Sequence, residues 1–309
     1  MTKQLHSAVW FTTMACNFKC HYCWEVQAQE HGLYKAAPFG DTCDKWVAAW
    51  NKLKPSILDI TGGEPFLLPW LTDMIKRLDP EIKLGMTTNI SHDLTHFVQE
   101  IGPERFVNIT CSFHPTENGT SRNPMNLYLF TGRALMLKNR GFPITINFVT
   151  WPEQLWLIDD FKAWFEQKGL RFHVDSYSSI AYYPFKFSDK ELAYAGKFLA
   201  PSRKPPELVQ KYGQNYQVMC SGGLTHLSVQ PNGDATRCIL EHQLLHDPHY
   251  PKDKVKAVGN ILDPNFELWD AELPCNEHFR CPGCDRDKVK FKFVQEIDRT
   301  AMGLPPVTV

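Results

Sequence analysis

Short apolar runs alternate with longer segments of helical periodicity from about residue 7 to residue 180. The runs are rich in β-branched and aromatic residues, and Gly, Pro or Asn bounds them, which is typical of buried strands. The pattern predicts six strands, over residues 8–13, 57–61, 83–88, 106–113, 144–150 and 171–177. Each predicted strand leads into a segment with a different, longer period.

These intervening segments predict amphipathic helices. In DTCDKWVAAWNKLK, Asp41 is a candidate cap, and Trp46 and Trp50 fall on one face. Two further helices are predicted over residues 127–141 and 152–169, and each ends at a glycine. Alternating strands and helices indicate a parallel sheet built from βαβ units. Six such units predict an α/β fold, a partial (β/α)6 barrel that is short of the usual eight.

The alternation stops near residue 200. The stretch APSRKPPELVQKYGQ is rich in proline and polar residues and predicts a linker over residues 200–214. It is followed by THLSVQPNGDATRCIL, in which a Pro-Asn-Gly-Asp turn joins two strand-like runs, as in a β-hairpin. We therefore predict a barrel domain over residues 1–205 and a small α+β domain over residues 206–309.

Composition changes how the cysteines are interpreted. The chain has 309 residues, 43% hydrophobic and 22% charged, which is ordinary for a globular protein, and its net charge of −1 gives no reason to expect bulk nucleic-acid binding. The first residues form neither a leader nor a membrane span, so we expect a cytoplasmic, reducing environment without membrane association. There, the ten cysteines are better explained by metal binding or catalysis than by disulfides.

Three of these cysteines lie together in MACNFKCHYCWE, as Cys16, Cys20 and Cys23. A structural zinc site normally has four protein ligands, whereas three thiolates suit a [4Fe–4S] cluster with one iron left open to a small molecule. A zinc or structural iron–sulfur loop with a fourth ligand from elsewhere is the alternative. After the second predicted strand comes TGGEPFL, and its two glycines allow a ligand to approach the backbone closely.

Together these elements resemble the radical S-adenosylmethionine superfamily. The C-x3-C-x-aromatic-C loop matches residues 16–23, and a Gly-Gly-Glu-Pro element matches residues 62–65. The resemblance implies that Cys16, Cys20 and Cys23 bind a [4Fe–4S] cluster whose open iron chelates S-adenosylmethionine. It also implies that Tyr22 lies against the adenine. The strip that would bind the methionine amino group is Gly62, Gly63, Glu64 and Pro65.

The same resemblance extends, more loosely, to four other positions. Thr88 and Asn89, at the end of the third strand, are candidates near the cofactor. Ser112 and Arg133 resemble a pair that grips its carboxylate and ribose, although a helical arginine is as often a solvated or structural charge. The implied chemistry is reductive cleavage to a 5′-deoxyadenosyl radical that abstracts a hydrogen atom, with an external reductant such as flavodoxin or ferredoxin.

A second cysteine group flanks the predicted hairpin and continues near the end of the chain. It resembles the twitch domain, a shortened SPASM domain, which implies an auxiliary [4Fe–4S] cluster. The implied ligands are Cys220, Cys238, Cys281 and Cys284. Cys275 is left over and could replace a ligand, donate a hydrogen atom or simply pack. A zinc knuckle built from the same four cysteines, or one that recruits His278, is the structural alternative.

Residues at the ends of the later strands are candidates for substrate contact. His114 follows Ser112 by two positions and so points the same way, as a base, a substrate ligand or a satisfied structural histidine. Asp175 and Tyr177, on the sixth strand, are similar candidates. By the same alternation Cys111 points away and is interpreted as a buried apolar residue.

The expected function is therefore hydrogen-atom abstraction from an unactivated C–H bond, in the oxidation or rearrangement of a small molecule such as a sugar, nucleoside or amino-acid derivative. Peptide or protein modification is the first alternative. The cysteine loop begins so early that little chain precedes it for peptide recognition, which mildly disfavours that alternative. A non-catalytic zinc-binding interaction protein is the second alternative.

Overall fold

A computed structural model describes residues 4–23, 25–26, 42–115, 127–175, 177, 187–199, 219–239, 241 and 256–274 of the chain. Some sequence-based predictions fall outside these residues. They are the Asp41 cap, the linker over 200–214 and the three cysteines Cys275, Cys281 and Cys284.

Six parallel strands form the centre of the fold, and each pairs with the next in chain order. They are β1 (Ser7–Phe11), β2 (Ile57–Thr61), β3 (Lys83–Thr88), β4 (Phe106–Ser112), β5 (Ile144–Val149) and β6 (Phe172–Asp175). This order confirms the predicted α/β sheet of a (β/α)6 partial barrel. β2 and β3 have the predicted bounds, whereas β6 is shorter than the predicted 171–177.

The helices between the strands pack apolar faces against the sheet. They are α1 (Cys43–Leu53), α2 (Leu71–Arg77), α3 (Thr95–Glu100), α4 (Leu127–Asn139), α5 (Pro152–Leu155) and α6 (Ile158–Glu166), while α7 (Asp189–Ala195) follows β6 and contacts α5. The predicted tryptophan face of α1 is confirmed, because the rings of Trp46 and Trp50 lie 4.7 and 6.0 Å from that of Trp10 on β1. Aromatic burial of this kind is a large part of the apolar area that stabilises the barrel.

The predicted single helix over 152–169 is wrong, since α5 and α6 are separate. The Gln154 side chain donates to the Val149 carbonyl at 2.7 Å, which ties α5 to the end of β5. Trp156 and Leu157, between the two helices, are exposed. A helical period that continues through this junction conceals the break.

The predicted hairpin is confirmed, and it continues the barrel sheet. β8 (His226–Val229) pairs antiparallel with β9 (Asp234–Thr236) and parallel with β1. Gly233 in the connecting turn has a φ of +91°, which favours glycine. β10 (Gly259–Asn260) extends this edge, while β7 (Met219–Cys220) and β11 (Leu273–Pro274) form a separate antiparallel pair. The division into domains 1–205 and 206–309 stays a prediction.

The parallel sheet places the carboxyl ends of β1 to β6 at one edge, where loops supply functional groups. On β4, strand alternation buries Cys111 completely, as predicted for a small apolar residue. Among the described residues, no helix has the length and the apolar composition needed to cross a bilayer.

Candidate functional site

A cavity of about 650 Å³ lies at the carboxyl edge of the sheet. Most of the residues that the sequence singles out for the cofactor or the substrate line it. They are Cys16, Cys20, Tyr22, Cys23, Gly62, Gly63, Thr88, Asn89, Ser112, His114, Asp175 and Tyr177. The loop after β1 therefore faces the ends of β2 to β6 across one space, although these residues are far apart in the chain.

The three cysteines of the loop share this cavity. Cys20 is buried, while Cys16 and Cys23 are partly buried. Desolvation raises the pKa of the Cys16 thiol to about 12 and that of Cys23 to about 11, so these thiols stay neutral unless a positive partner replaces the proton. Within the described residues, no three cysteine, histidine or acidic side chains are gathered around a single point as a ready metal site.

The glycine turn after β2 lies directly against the cysteine loop. The Gly63 N–H donates to the Thr13 carbonyl at 2.6 Å, and the Glu64 N–H donates to the Ala15 carbonyl at 2.9 Å. A Cβ atom on Gly63 would lie 1.9 Å from the Ala15 oxygen. Gly62 has a φ of +133°, and a Cβ there would lie 2.4 Å from the Thr13 oxygen. Only glycine fits at either position.

Glu64 is completely buried beneath this turn and does not line the cavity. Its carboxylate accepts hydrogen bonds from the Thr88 hydroxyl at 2.7 Å, the Asn89 N–H at 2.7 Å and the Phe66 N–H at 3.0 Å. Burial raises the pKa of Glu64 to about 7, and the three hydrogen bonds oppose that rise. Glu64 therefore connects the glycine turn to the end of β3, while Pro65 begins the short 3-10 helix that follows.

Asn89 extends this connection to the cysteine loop through two residues that sequence reasoning missed. Its side chain donates to Asn17 Oδ1 at 2.9 Å and accepts from the Ser91 N–H at 2.9 Å. Asn17 in turn donates to the Ser91 hydroxyl at 2.6 Å. Asn89 Nδ2 also lies 3.9 Å from Cys16 Sγ. We call Asn17, Asn89 and Ser91 the amide clamp, because together they join the cysteine loop to β3.

The backbone next to Asn89 is strained. Ile90 has a φ of +46°, which is unusual for a buried β-branched residue. Its N–H donates to the Thr88 hydroxyl at 3.0 Å, and its carbonyl accepts from Arg133 Nη1 at 3.0 Å. Arg133 is not among the cavity-lining residues that the structure describes, and its observed contact is with this turn. A direct contact between Arg133 and the cofactor stays a prediction.

His114 contacts the cysteine loop through Tyr22. Its Nδ1 lies 2.6 Å from the Tyr22 hydroxyl, and its ring packs against Phe18 with centroids 6.1 Å apart. Burial lowers the pKa of His114 to about 4, so the ring is neutral near pH 7. This environment favours a hydrogen-bonding role for His114 over that of a cationic acid.

The last predicted residues lie at the end of β6 and beyond it, because β6 ends at Asp175 and Tyr177 is outside the strand that was predicted to contain it. Asp175 is exposed toward the cavity, and its Oδ1 lies 3.2 Å from Nε2 of His173. Tyr177 packs on Trp151 with centroids 5.1 Å apart, and Trp151 in turn packs on Tyr22 at 5.8 Å. Asp175 and Tyr177 therefore line the same cavity as the cysteine loop and the glycine turn.

Eight other lining residues were not predicted, and they include Lys19, Glu25 and Ile239. Lys19 and Glu25 flank two of the loop cysteines, so their spacing in the chain could have indicated them. Ile239 directly follows Cys238, so the hairpin region supplies part of the cavity wall. Cys238 of the second cysteine group is therefore next in sequence to a residue of the cavity wall.

Two cysteines of the second group are described. Cys220 lies on β7, and its sulfur accepts the Gly222 N–H at 3.2 Å. Cys238 follows β9, and its sulfur accepts the Glu241 N–H at 3.5 Å. Burial raises the pKa of Cys220, whereas the Gly222 amide and the Arg237 guanidinium lower it. Amide donors at both sulfurs suit thiolate ligands.

The donor chemistry fits the metal centres that the sequence resemblance implies. The N-terminal site offers three thiols on one cavity, beside a glycine turn at which a Cβ atom would collide with the loop that carries them. The second site offers two described thiols with amide donors. Thiols are the ligands that iron–sulfur clusters and structural zinc share, so the donor set alone does not decide the metal.

Comparisons with known proteins concern the fold. No protein-family model matches the sequence, and no curated protein matches it significantly. Among solved structures, anSMEcpe with bound AdoMet is 15% identical with a TM-score of 0.58, over 83% of this chain and 78% of that one. A structure of anSMEcpe with AdoMet and the Kp18Cys peptide has a TM-score of 0.56 at 15% identity, with the same coverage of both chains.

SuiB from Streptococcus suis, bound to the precursor peptide SuiA, has a TM-score of 0.52 at 16% identity, over 86% of this chain and 65% of that one. The structure of SuiB with S-adenosylmethionine has a TM-score of 0.54 at 18% identity, over 86% of this chain and 64% of that one. At these identities the likeness concerns the fold. The chain therefore has the partial-barrel fold of the radical S-adenosylmethionine enzymes, as its cysteine loop and glycine turn predict.

Proposed function

We propose that the protein is a radical S-adenosylmethionine enzyme that abstracts a hydrogen atom from an unactivated C–H bond of a small molecule. The observation that carries the proposal is the single cavity on which the three loop thiols, the glycine turn and the ends of β3 to β6 meet. A non-catalytic zinc site has no need of a cavity of about 650 Å³ beside its ligands.

In this proposal, Cys16, Cys20 and Cys23 hold a [4Fe–4S] cluster and leave one iron open for S-adenosylmethionine. When bound, the cluster supplies the electron that splits the sulfonium into methionine and a 5′-deoxyadenosyl radical. Gly62 and Gly63 line the cavity, and their backbone carbonyls are the proposed acceptors for the amino group at the methionine end of the cofactor.

The other residues of the chain orient the reactants. Tyr22, held by His114, presents an aromatic face for the adenine. Thr88, Asn89 and Ser112 supply uncharged hydrogen-bonding groups in the same cavity. Asp175 and Tyr177 line the same cavity and are the proposed substrate contacts, with Asp175 able to accept a proton that leaves the substrate.

The second thiol site supports an oxidative outcome. Ile239 lines the cavity and Cys238 precedes it, and an auxiliary [4Fe–4S] cluster held there would be the proposed acceptor of an electron from a substrate radical. Cys220, Cys238, Cys281 and Cys284 are its proposed ligands. Cys275 stays a candidate ligand or hydrogen donor, and a flavodoxin or ferredoxin is the proposed external reductant.

Peptide modification is the second candidate, because the solved structures of anSMEcpe and of SuiB include forms with a bound peptide. The two candidates separate in one experiment. The reduced, iron-reconstituted protein receives S-adenosylmethionine and either the small-molecule or the peptide fraction of a fully deuterated cell extract. We expect deuterium to enter 5′-deoxyadenosine with the small-molecule fraction, because the abstracted atom ends on that product.

Deuterium from the peptide fraction alone would replace the small-molecule proposal with the peptide one. A Cys16→Ala, Cys20→Ala, Cys23→Ala triple variant is the control and should give no 5′-deoxyadenosine. If the wild-type protein releases none under the same anaerobic conditions, the radical proposal is wrong. A colourless wild-type protein that carries zinc and no iron would establish the non-catalytic alternative.

A further inference from the structure

Next to the second thiol site lies an ion pair that the proposed chemistry does not use. Arg237 and Glu241 have side chains only 6% and 8% exposed. Arg237 Nε donates to Glu241 Oε1 at 2.7 Å, Nη2 donates to the same oxygen, and the Arg237 N–H donates to Oε2 at 3.3 Å. Burying two charges is costly unless the geometry is good, so the pair is weak evidence of stabilisation by itself.

The contacts of the pair connect it to both described thiols. Glu241 donates its backbone N–H to Cys238 Sγ at 3.5 Å, so the carboxylate that binds Arg237 and the amide that binds Cys238 belong to one residue. Gly222 bonds Cys220 Sγ, and a Cβ atom on Gly222 would lie 2.8 Å from the Arg237 carbonyl. The Arg237 backbone therefore lies against the turn that carries Cys220.

A third contact reaches the strand that leads to the remaining cysteines. Arg237 Nη1 donates to the Pro274 carbonyl at 2.9 Å. Pro274 ends β11, and β11 pairs with β7 so that Leu273 lies opposite Cys220. The planar guanidinium thus binds Glu241 and Pro274 at once, which a lysine ammonium on a flexible stem cannot reproduce.

From these contacts we propose that Arg237 and Glu241 are positioning residues, which hold Cys238, Cys220 and β11 together for a second thiolate metal centre. This inference rests on the second centre of the proposed function. It holds whether that centre contains iron or zinc, since both take thiolates. Partners beyond the direct ligands typically change metal affinity by about 10–100-fold.

The test compares metal retention at the two sites of the anaerobically reconstituted full chain. Iron, sulfide and zinc are counted per chain, and electron paramagnetic resonance follows each reduced cluster. We expect Arg237→Met to lose the metal of the second centre and to keep the signal of the N-terminal cluster. Arg237→Lys should fold and release the second metal to a chelator roughly 10–100-fold faster than wild type.

Two further variants separate positioning from folding. The double variant Arg237→Met, Glu241→Met replaces the ion pair with apolar side chains of similar length, a change that proteins often tolerate. We expect it to fold and still lose the second centre, because the contacts with Pro274 are gone. Arg105→Met is the matched control: Arg105 also donates to backbone carbonyls, those of Leu78, Asp79 and Ile82, and its loss should spare both centres.

The outcomes are distinct. If the double variant and Arg237→Lys both keep the second metal and its spectrum as in wild type, the positioning role is wrong. The Cys16→Ala, Cys20→Ala, Cys23→Ala variant shows how much metal the wild-type protein holds at the N-terminal site. If the loss in this variant accounts for all the metal of the wild-type protein, there is no second centre and the positioning role is wrong. The proposal for the N-terminal site is then unaffected. If the variants lose zinc and not iron, the positioning role is supported and the metal of the second centre is zinc.

Discussion

The described thiols of the N-terminal loop and of the hairpin region are all buried or partly buried, yet different groups hold them. At the first site, the amide clamp and the backbone N–H of Glu64 bond to the cysteine loop through uncharged groups, and the thiols line an open cavity. At the second site, a buried ion pair bonds to the segments on either side of the thiols. An arrangement of small polar groups leaves room for a cofactor and a substrate, whereas a buried guanidinium fills space and closes the site.

Among the predicted effects, a substitution in the glycine turn of the first site should cause the largest loss of stability and of metal. In Gly63→Ala the new Cβ would lie 1.9 Å from the Ala15 oxygen, a backbone atom that cannot move without the cysteine loop. We expect the free energy of unfolding to fall by about 3 kcal/mol, and the N-terminal metal to be lost. Chemical denaturation and iron analysis measure both effects.

Gly132→Ala is the matched control. Gly132 lies inside α4, and a Cβ there would meet nothing within 4 Å. The free energy of unfolding should rise by about 0.5–1 kcal/mol, because alanine loses less backbone entropy in a helix. Equal losses in the two variants would contradict the close approach of the turn to the cysteine loop.

Glu64 should make the first site sensitive to pH. Burial raises its pKa from 4.5 to about 7 in the folded chain. Between these values the folded state holds a proton that the unfolded state has released, so the free energy of unfolding of the metal-free chain falls as pH rises through this window. In Glu64→Gln that part of the fall should be absent, as pH-dependent denaturation can measure. Parallel curves for the two proteins would show that Glu64 does not titrate there.

The amide clamp should contribute a smaller, local effect. Asn17→Ala removes the bonds to Asn89 and Ser91, and we expect it to lower the free energy of unfolding by about 1 kcal/mol and to speed the loss of N-terminal iron to a chelator. Asn232→Ala, which removes exposed hydrogen bonds in the hairpin turn, is the control and should leave that iron unaffected. If both variants released iron at the same rate, the amide clamp would not contribute to holding the N-terminal metal.

An exposed ion pair provides the smallest expected effect and sharpens the contrast with Arg237. Lys76 and Glu100 pair on the surface at 2.5 Å, with both side chains substantially exposed. Solvent and salt screen such a pair, so Lys76→Met should not shift the denaturation midpoint measurably. We expect Arg237→Met to lower the midpoint, because it leaves the buried Glu241 carboxylate without its cation, and equal midpoints for the two variants would mean that burial does not distinguish the two ion pairs.

Much of the fold could be predicted from local patterns. The runs that form β2 and β3 are apolar, short and bounded by turn residues, and both have the predicted bounds. The break between α5 and α6 could not be predicted, because the apolar period continues across Trp156 and only the bond from Gln154 to Val149 reveals it.

The candidate site divides in the same way. The loop cysteines and the glycine turn have characteristic spacing, so the sequence indicates them. Asn17 and Ser91 are 74 positions apart and become partners only because β1 and β3 end at the same edge of the sheet. Ile239 reaches the cavity because β8 pairs with β1 across more than 200 positions, a pairing that the hairpin motif alone does not predict.

The central claim is that the three thiols leave one metal position open for S-adenosylmethionine. Electron paramagnetic resonance of the reduced, anaerobically reconstituted protein tests it most directly, with cofactor labelled by ¹⁵N in the amino group and ¹⁷O in the carboxylate. If the cofactor binds the open metal position, the signal of the N-terminal cluster should shift on addition of the cofactor and show coupling to both labels. A signal that stays unchanged at saturating cofactor, with a fourth protein side chain on the cluster, would contradict it.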